Sequence, residues 1–204
     1  KFQIFEPAEL YERTDEAFEL FKTLTLHREA WEELFQLSRA LGLSIYCDVF
    51  GQYSLDLAAE LGCDAFKLHL SDIRNLRFVA AIAEHNKPVF LSVSGASLNE
   101  IFDVVFSFRS RGIDDVTLMH GFQSYPTTLE ETNLSRIRTL KSIFELKTGY
   151  ADHTSGGDKR LIEHLALAIG QGATVIEKHI TLSRTEGGVD HYSSLEPAEF
   201  ARML

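Results

Sequence analysis

Residues 147–180, KTGYADHTSGGDKRLIEHLALAIGQGATVIEKHI, decide the fold. A β-rich run at Lys147–Tyr150 leads into a helical pattern at Lys159–Ile169 and then into an apolar, β-branched run at Val175–His179. Strand, amphipathic helix and strand in that order make a crossover unit, and a crossover joins parallel strands. Each strand delivers a histidine: His153 lies just past the first, and His179 closes the second. Adjacent strands lie only about 4.8 Å apart, so histidines at their carboxyl ends can meet at one metal ion.

The same alternation extends outward from this unit. Strand-like runs stand near Lys1–Phe5, Ser44–Asp48, Ala65–His69, Val89–Ser92 and Val116–His120, with helical patterns between them such as Arg28–Leu41, Leu55–Leu61 and Leu98–Arg111. Strict βαβα order forces parallel strands with right-handed crossovers, either closed into a barrel or spread into a doubly wound sheet. No Gly-x-Gly-x-x-Gly turn follows a strand, which favours an α/β fold of the (β/α)8 TIM-barrel type. Such a barrel takes eight strands and seven are visible, so the first strand is expected ahead of Lys1. The chain opens on Lys1 inside strand-like sequence and reads as a piece of something longer, with the stretch from Glu196 to Leu204 as the last outer helix. We expect residues 1–204 to form one domain.

At 45% hydrophobic and 25% charged, 204 residues suffice for one sizeable core. The net charge of -10, from 30 acidic against 20 basic residues, argues against a nucleic-acid surface, so an anionic substrate must be met by a few local lysines. No apolar stretch approaches the roughly 20 residues of a membrane span. Cys47 and Cys63 form neither a secreted-type framework nor a Cys-x-x-Cys pair, which fits a reducing cytoplasm.

In a parallel barrel the loops after the strands' carboxyl ends form the active face, and strand period two selects the residues that point inward. Lys1 and Gln3 share one face of the first run, and Lys67 and His69 lie opposite Phe66 and Leu68. In the last run Glu177 and His179 lie opposite Ile176 and Lys178. Burying the Lys67 ammonium is costly unless an anion or carboxylate meets it. Parity says little about His153, and Asp152 beside it could ligate, orient a histidine or hold a substrate hydroxyl. A lone histidine at a strand end is more often structural than a ligand, whereas two on adjacent strands make the readings even. His120 reads as structural and His27, His85 and His164 as solvated. Tyr125-Pro126-Thr127 is a turn or a substrate contact, and Gly187-Gly188-Val189-Asp190, within the irregular stretch Leu182–Ser194, is a surface turn or a lid carrying a carboxylate.

Several of these segments resemble the barrel domain of the N-acetylneuraminate (sialic acid) synthase family, including its spore-coat polysaccharide relatives. The resemblance rests on Lys1-Phe2-Gln3, Phe66-Lys67, His120 followed by Tyr125-Pro126-Thr127, Asp152-His153-Thr154, Gly172 to His179, and Ser194-Leu195-Glu196-Pro197. It implies condensation of phosphoenolpyruvate with an N-acylated hexosamine aldehyde such as N-acetylmannosamine, giving a nine-carbon 2-keto acid and phosphate. It implies that His153 and His179 hold a divalent metal, manganese or magnesium, and that Lys1, Lys67 and Asp152 serve catalysis. Gln3, Asp48, Ser71, Gln123, Tyr125, Lys178 and Asp190 become substrate contacts. The full-length relative would be a cytoplasmic homodimer with a C-terminal antifreeze-like domain and a first strand carrying a catalytic glutamate.

The chain also departs from the family pattern. Cys47-Asp48-Val49-Phe50 stands where Ser-Thr-Pro-Phe is usual, and Lys67 to Asp72 replaces Lys-Ile-x-Ser-Gly-Glu. Ser92-Val93-Ser94-Gly95 replaces Ser-Thr-Gly-Met, and Ala151 replaces the serine before Asp-His. Hydroxyl donors to an anion are thereby lost, and a carboxylate is gained. A pyruvate-dependent aldolase and a catalytically weakened sugar-binding or scaffold barrel are the alternatives.

Overall fold

The structure, a computed structural model, describes residues 1–188 and 190–204, so Val189 of the last loop lies outside the described residues. The chain order is β1 (Phe2–Ile4), α1 (Pro7–Leu10), α2 (Glu16–Leu24), α3 (Arg28–Ala40), β2 (Tyr46–Val49), α4 (Gln52–Glu60), β3 (Ala65–Leu68), α5 (Leu76–Glu84), β4 (Val89–Ser92) and α6 (Leu98–Arg109). It continues with β5 (Val116–Gly121), α7 (Ser135–Phe144), β6 (Lys147–Asp152), α8 (Leu161–Gly170), β7 (Ala173–Lys178) and α9 (Pro197–Met203). The strands follow one another in sequence order within a parallel sheet, as the crossover reading requires. The chain divides into two compact units, residues 1–91 with 97–116, and residues 92–96 with 117–204.

In the first unit, β1, β2 and β3 pair in register so that Gln3 stands beside Asp48 and Asp48 beside Lys67. The alternate positions Ile4, Cys47, Val49, Phe66 and Leu68 are fully buried. The apolar face of the pleat therefore forms the core, and the polar row Gln3–Asp48–Lys67 lies on the other face. Helix α6 starts on a reciprocal cap in which the Ser97 hydroxyl accepts from the Glu100 amide and the Glu100 carboxylate accepts from the Ser97 amide. Arg74 pairs with the same carboxylate, and these donors hold Glu100 at a pKa of about 2.

In the second unit, β6 pairs with β5 and β7, bringing Tyr150 beside Ile176 and Asp152 beside Lys178. Leu161, His164, Leu165 and Ala168 form the buried stripe of α8, and Ile137, Tyr150, Leu161, Leu165 and Ala173 share one apolar cluster. His164 is thus a core residue, contrary to the solvated reading. Its spacing from Leu161, Leu165 and Ala168 places it on the helix's inner face, where its Nε2 lies 3.0 Å from the Tyr150 hydroxyl. Burial pushes its pKa down, and it is neutral at pH 7.

The segment after β7 is tied down at both ends. Leu195 forms a parallel bridge with Ile180, its amide donating to His179 O at 2.9 Å, while Thr181 N donates to Leu195 O at 2.9 Å. Arg184 forks onto the Glu199 carboxylate and donates to Ser194 O. Gly156 meets the same segment at its backbone, where a Cβ would fall 1.9 Å from the Ser194 carbonyl oxygen. We expect Gly156→Ala to cost about 1–3 kcal/mol as the two backbones are forced apart. A urea midpoint equal to wild type would contradict this packing.

Candidate functional site

The first unit gathers charge around Asp48. This carboxylate is fully buried, and its Oδ2 lies 3.4 Å from both Lys1 Nζ and Lys67 Nζ. Lys67 is only 6% exposed, so its ammonium is met as the burial cost demands. The other oxygen, Oδ1, is buried with no hydrogen-bond partner among the described residues. Gln3 is exposed beside Asp48 in the strand register. One residue row further, Phe50 packs between Phe5 and His69, at ring-centroid distances of 6.4 and 5.6 Å. Burial lowers the His69 pKa, keeping this ring neutral beside the two lysines. Ser71 donates to Asp72 at 2.7 Å and contacts His69 Nδ1 at 3.2 Å, so its hydroxyl is committed locally.

The second unit gathers the histidines. His153 and His179 present ring centroids 5.4 Å apart, edge to face. Tyr125 packs on His153 at 4.5 Å and on His179 at 6.4 Å, and its hydroxyl donates to Gln123 Oε1 at 2.7 Å. His153 Nδ1 donates to the Phe122 carbonyl at 2.7 Å, which fixes Nε2 as the lone-pair nitrogen of the neutral ring. His179 Nδ1 lies 3.6 Å from Asp190 Oδ2, and a carboxylate there favours the proton on Nδ1 in the same way. Asp190 adopts a left-handed backbone with φ of 64° to make this approach. The backbone at His153 is equally fixed, its carbonyl accepting from Thr127 N at 2.8 Å and from Ser193 Oγ at 2.9 Å.

This donor set suits a divalent cation. Ligating imidazole centroids stand about 3.2 Å from a shared ion and therefore up to roughly 6.4 Å apart, a range that contains the observed spacing. His153 carries on Nδ1 the hydrogen-bonded partner that metal-binding histidines use, and His179 has a carboxylate 3.6 Å from the same position. Among the described residues no group of three or more His, Cys, Asp and Glu converges, so two protein ligands would leave the remaining positions to water and substrate.

Asp152 and Lys178 lie elsewhere. Tyr150, Asp152, Ile176 and Lys178 share the helix-facing side of β6 and β7, and Lys178 Nζ donates to Asp152 Oδ2 at 2.6 Å with both side chains fully buried. Parity correctly set Lys178 opposite His179, but the pair occupies itself rather than a mouth. The sequence reading missed Tyr150 and Thr154, which donate to Asp152, Ser193, which donates to the His153 carbonyl, and His164, which reaches Asp152 through Tyr150. Of these, His164 alone was visible as a periodic core position.

The parallel strands of this α/β fold thus carry a lysine-flanked carboxylate in the first unit and a pair of histidines in the second. The sequence model of the NeuB family matches residues 1–204, and the chain belongs to that family. It is 36% identical over 184 residues to the N,N'-diacetyllegionaminic acid synthase of Campylobacter jejuni, covering 89% of this chain and 53% of that protein. It is 34% identical to an uncharacterized protein of Methanocaldococcus jannaschii, covering 100% of this chain and 59% of the relative. The crystal structure of N-acetylneuraminic acid (sialic acid) synthetase from Leptospira borgpetersenii, in complex with citrate, superposes with a TM-score of 0.91 at 33% identity, over 99% of this chain and 69% of that one. The chain thus spans between half and two thirds of these curated relatives. None of the helices among the described residues is long and apolar enough to cross a membrane.

Proposed function

We propose that this chain is the barrel portion of a sialic-acid-type synthase, a (β/α)8 barrel completed by a further strand and working as a cytoplasmic homodimer. Its reaction joins phosphoenolpyruvate, an N-acetylmannosamine-like aldehyde and water into a nine-carbon 2-keto acid and phosphate. The observation that carries this reading is the anchored pair His153 and His179, with each Nδ1 turned to an oxygen acceptor. Family membership supports it.

A manganese or magnesium ion on the two Nε2 atoms would supply Lewis-acid polarisation of the aldehyde oxygen. The chain's own residues do the rest. The Phe122 carbonyl holds a proton on Nδ1 of His153 and the Asp190 carboxylate favours one on Nδ1 of His179, so that in the neutral tautomer each ring offers its Nε2 lone pair. Tyr125, oriented by Gln123, walls the histidines and offers a ring face and a hydroxyl to the sugar. Lys1 and Lys67 take the carboxylate and phosphate charges of phosphoenolpyruvate, with Gln3 beside them as an amide contact. As the methylene carbon of phosphoenolpyruvate bonds to the aldehyde carbon, water adds at the enol carbon and phosphate leaves, its charge met by the lysines.

The full-length protein, supplied with phosphoenolpyruvate, manganese and N-acylated hexosamines in turn, should release phosphate with at least one sugar. No release with any of them would overturn the reading. Lys67→Met should weaken phosphoenolpyruvate binding by about 1.5–3 kcal/mol, the range for a charge-assisted contact. Binding unchanged in a calorimetric titration would remove Lys67 from the anion site.

A further inference from the structure

We propose that Asp152 and Lys178 are positioning residues, a buried staple that sets the two histidines at metal-sharing distance; this rests on the metal reading above. The two residues face each other in the strand register, and each directly precedes one histidine: Asp152 precedes His153, and Lys178 precedes His179. The ion pair therefore fixes the backbones from which both imidazoles depart.

The remaining contacts tighten the same geometry. Asp152 Oδ1 accepts from the Tyr150 hydroxyl at 3.1 Å and from Thr154 N at 3.2 Å, and Oδ2 accepts from Thr154 Oγ1 at 3.0 Å as well as from Lys178. Carboxylate acceptance from the amide two residues on is an Asx turn, and His153 is the residue enclosed by it. Lys178 Nζ also donates to the Thr154 carbonyl at 2.6 Å, so one ammonium clasps both ends of that turn. The Tyr150 hydroxyl gives its single proton to Asp152, which requires His164 Nε2 to donate to the Tyr150 oxygen. A relay from α8 through β6 to β7 thus locks the strand ends, with every charge met inside the core.

A device serving only fold stability would be replaceable by apolar side chains of similar volume, whereas a positioning device would not. The test uses the full-length protein, manganese titration followed by electron paramagnetic resonance, the visible spectrum of the cobalt form, and urea midpoints. Lys178→Met should lower manganese affinity roughly 10- to 100-fold, the range for outer partners of metal ligands. Tyr150→Phe, which removes one donor and keeps the ring's packing, should lower it roughly two- to tenfold and alter the cobalt spectrum. The double variant Asp152→Leu with Lys178→Met should regain the urea midpoint lost in Lys178→Met but not the affinity. Recovery of affinity together with stability, or wild-type affinity in both single variants, would overturn the staple while leaving the metal site standing. Equal absence of manganese binding in wild type and His153→Ala would instead overturn the metal reading, and the staple's role with it.

Discussion

His153→Ala should reduce turnover of the full-length protein by about 10³-fold, equivalent to about 4 kcal/mol of barrier, because one of two protein ligands to the proposed cation is lost. His179→Ala should do the same. The double variant should be little worse than either single one, since groups that act as a unit are not additive. Folding should suffer far less. Loss of the His153 hydrogen bond to the Phe122 carbonyl costs about 1 kcal/mol, a small shift in the urea midpoint. Phosphate-release kinetics at saturating manganese check the prediction. More than a tenth of wild-type turnover in His153→Ala would show that this imidazole does not hold the cation.

Asp48→Thr should change binding and stability in opposite directions. The carboxylate repels an incoming phosphate, so its removal leaves Lys1 and Lys67 a more positive pair and the Michaelis constant for phosphoenolpyruvate should fall. The same change deprives buried Lys67 of its counter-charge, and breaking a buried pair costs about 3 kcal/mol at the low end. The low end applies because Lys1 is partly solvated and both contacts are 3.4 Å long. Parallel measurement of the Michaelis constant and the urea midpoint separates the two effects. Lost turnover with intact binding would show that Asp48, whose Oδ1 has no partner among the described residues, takes part in the chemistry itself. The sequence alone suggested a degraded phosphate cradle; the structure shows that the same carboxylate also holds the lysines in place.

The parallel alternation was legible because each strand is a short apolar run bounded by turn residues. The expected Ser44–Asp48 became Tyr46–Val49 and the expected Val175–His179 became Ala173–Lys178, shifts of one or two residues that follow from hydrogen bonding deciding strand ends. Parity correctly turned Lys67 away from Phe66 and Leu68, and Lys178 away from His179. It could not find partners on other strands, because register is a long-range property. Hence the resemblance gave Asp152 a catalytic role and Lys178 a substrate contact, while their mutual ion pair across β6 and β7 went unread. The His153 orientation was illegible for a related reason: it depends on the Phe122 carbonyl, 31 residues away in the chain. His164, by contrast, could have been placed from its spacing to Leu161 and Leu165 alone.

The row Gln3–Asp48–Lys67 exists only because two ladders, joining three strands, agree on one register. Deleting or inserting a single residue between Tyr46 and Val49 would present Cys47 or Val49 to the lysines and turn Asp48 into the apolar core. Substitutions in this stretch can therefore retune charge one side chain at a time, but changes of length cannot be absorbed. Descendants of this sequence should keep the count of residues in β1, β2 and β3 constant even where position 48 is substituted and the lost counter-charge is made good elsewhere. Indels should collect instead in connecting loops, where no ladder keeps count.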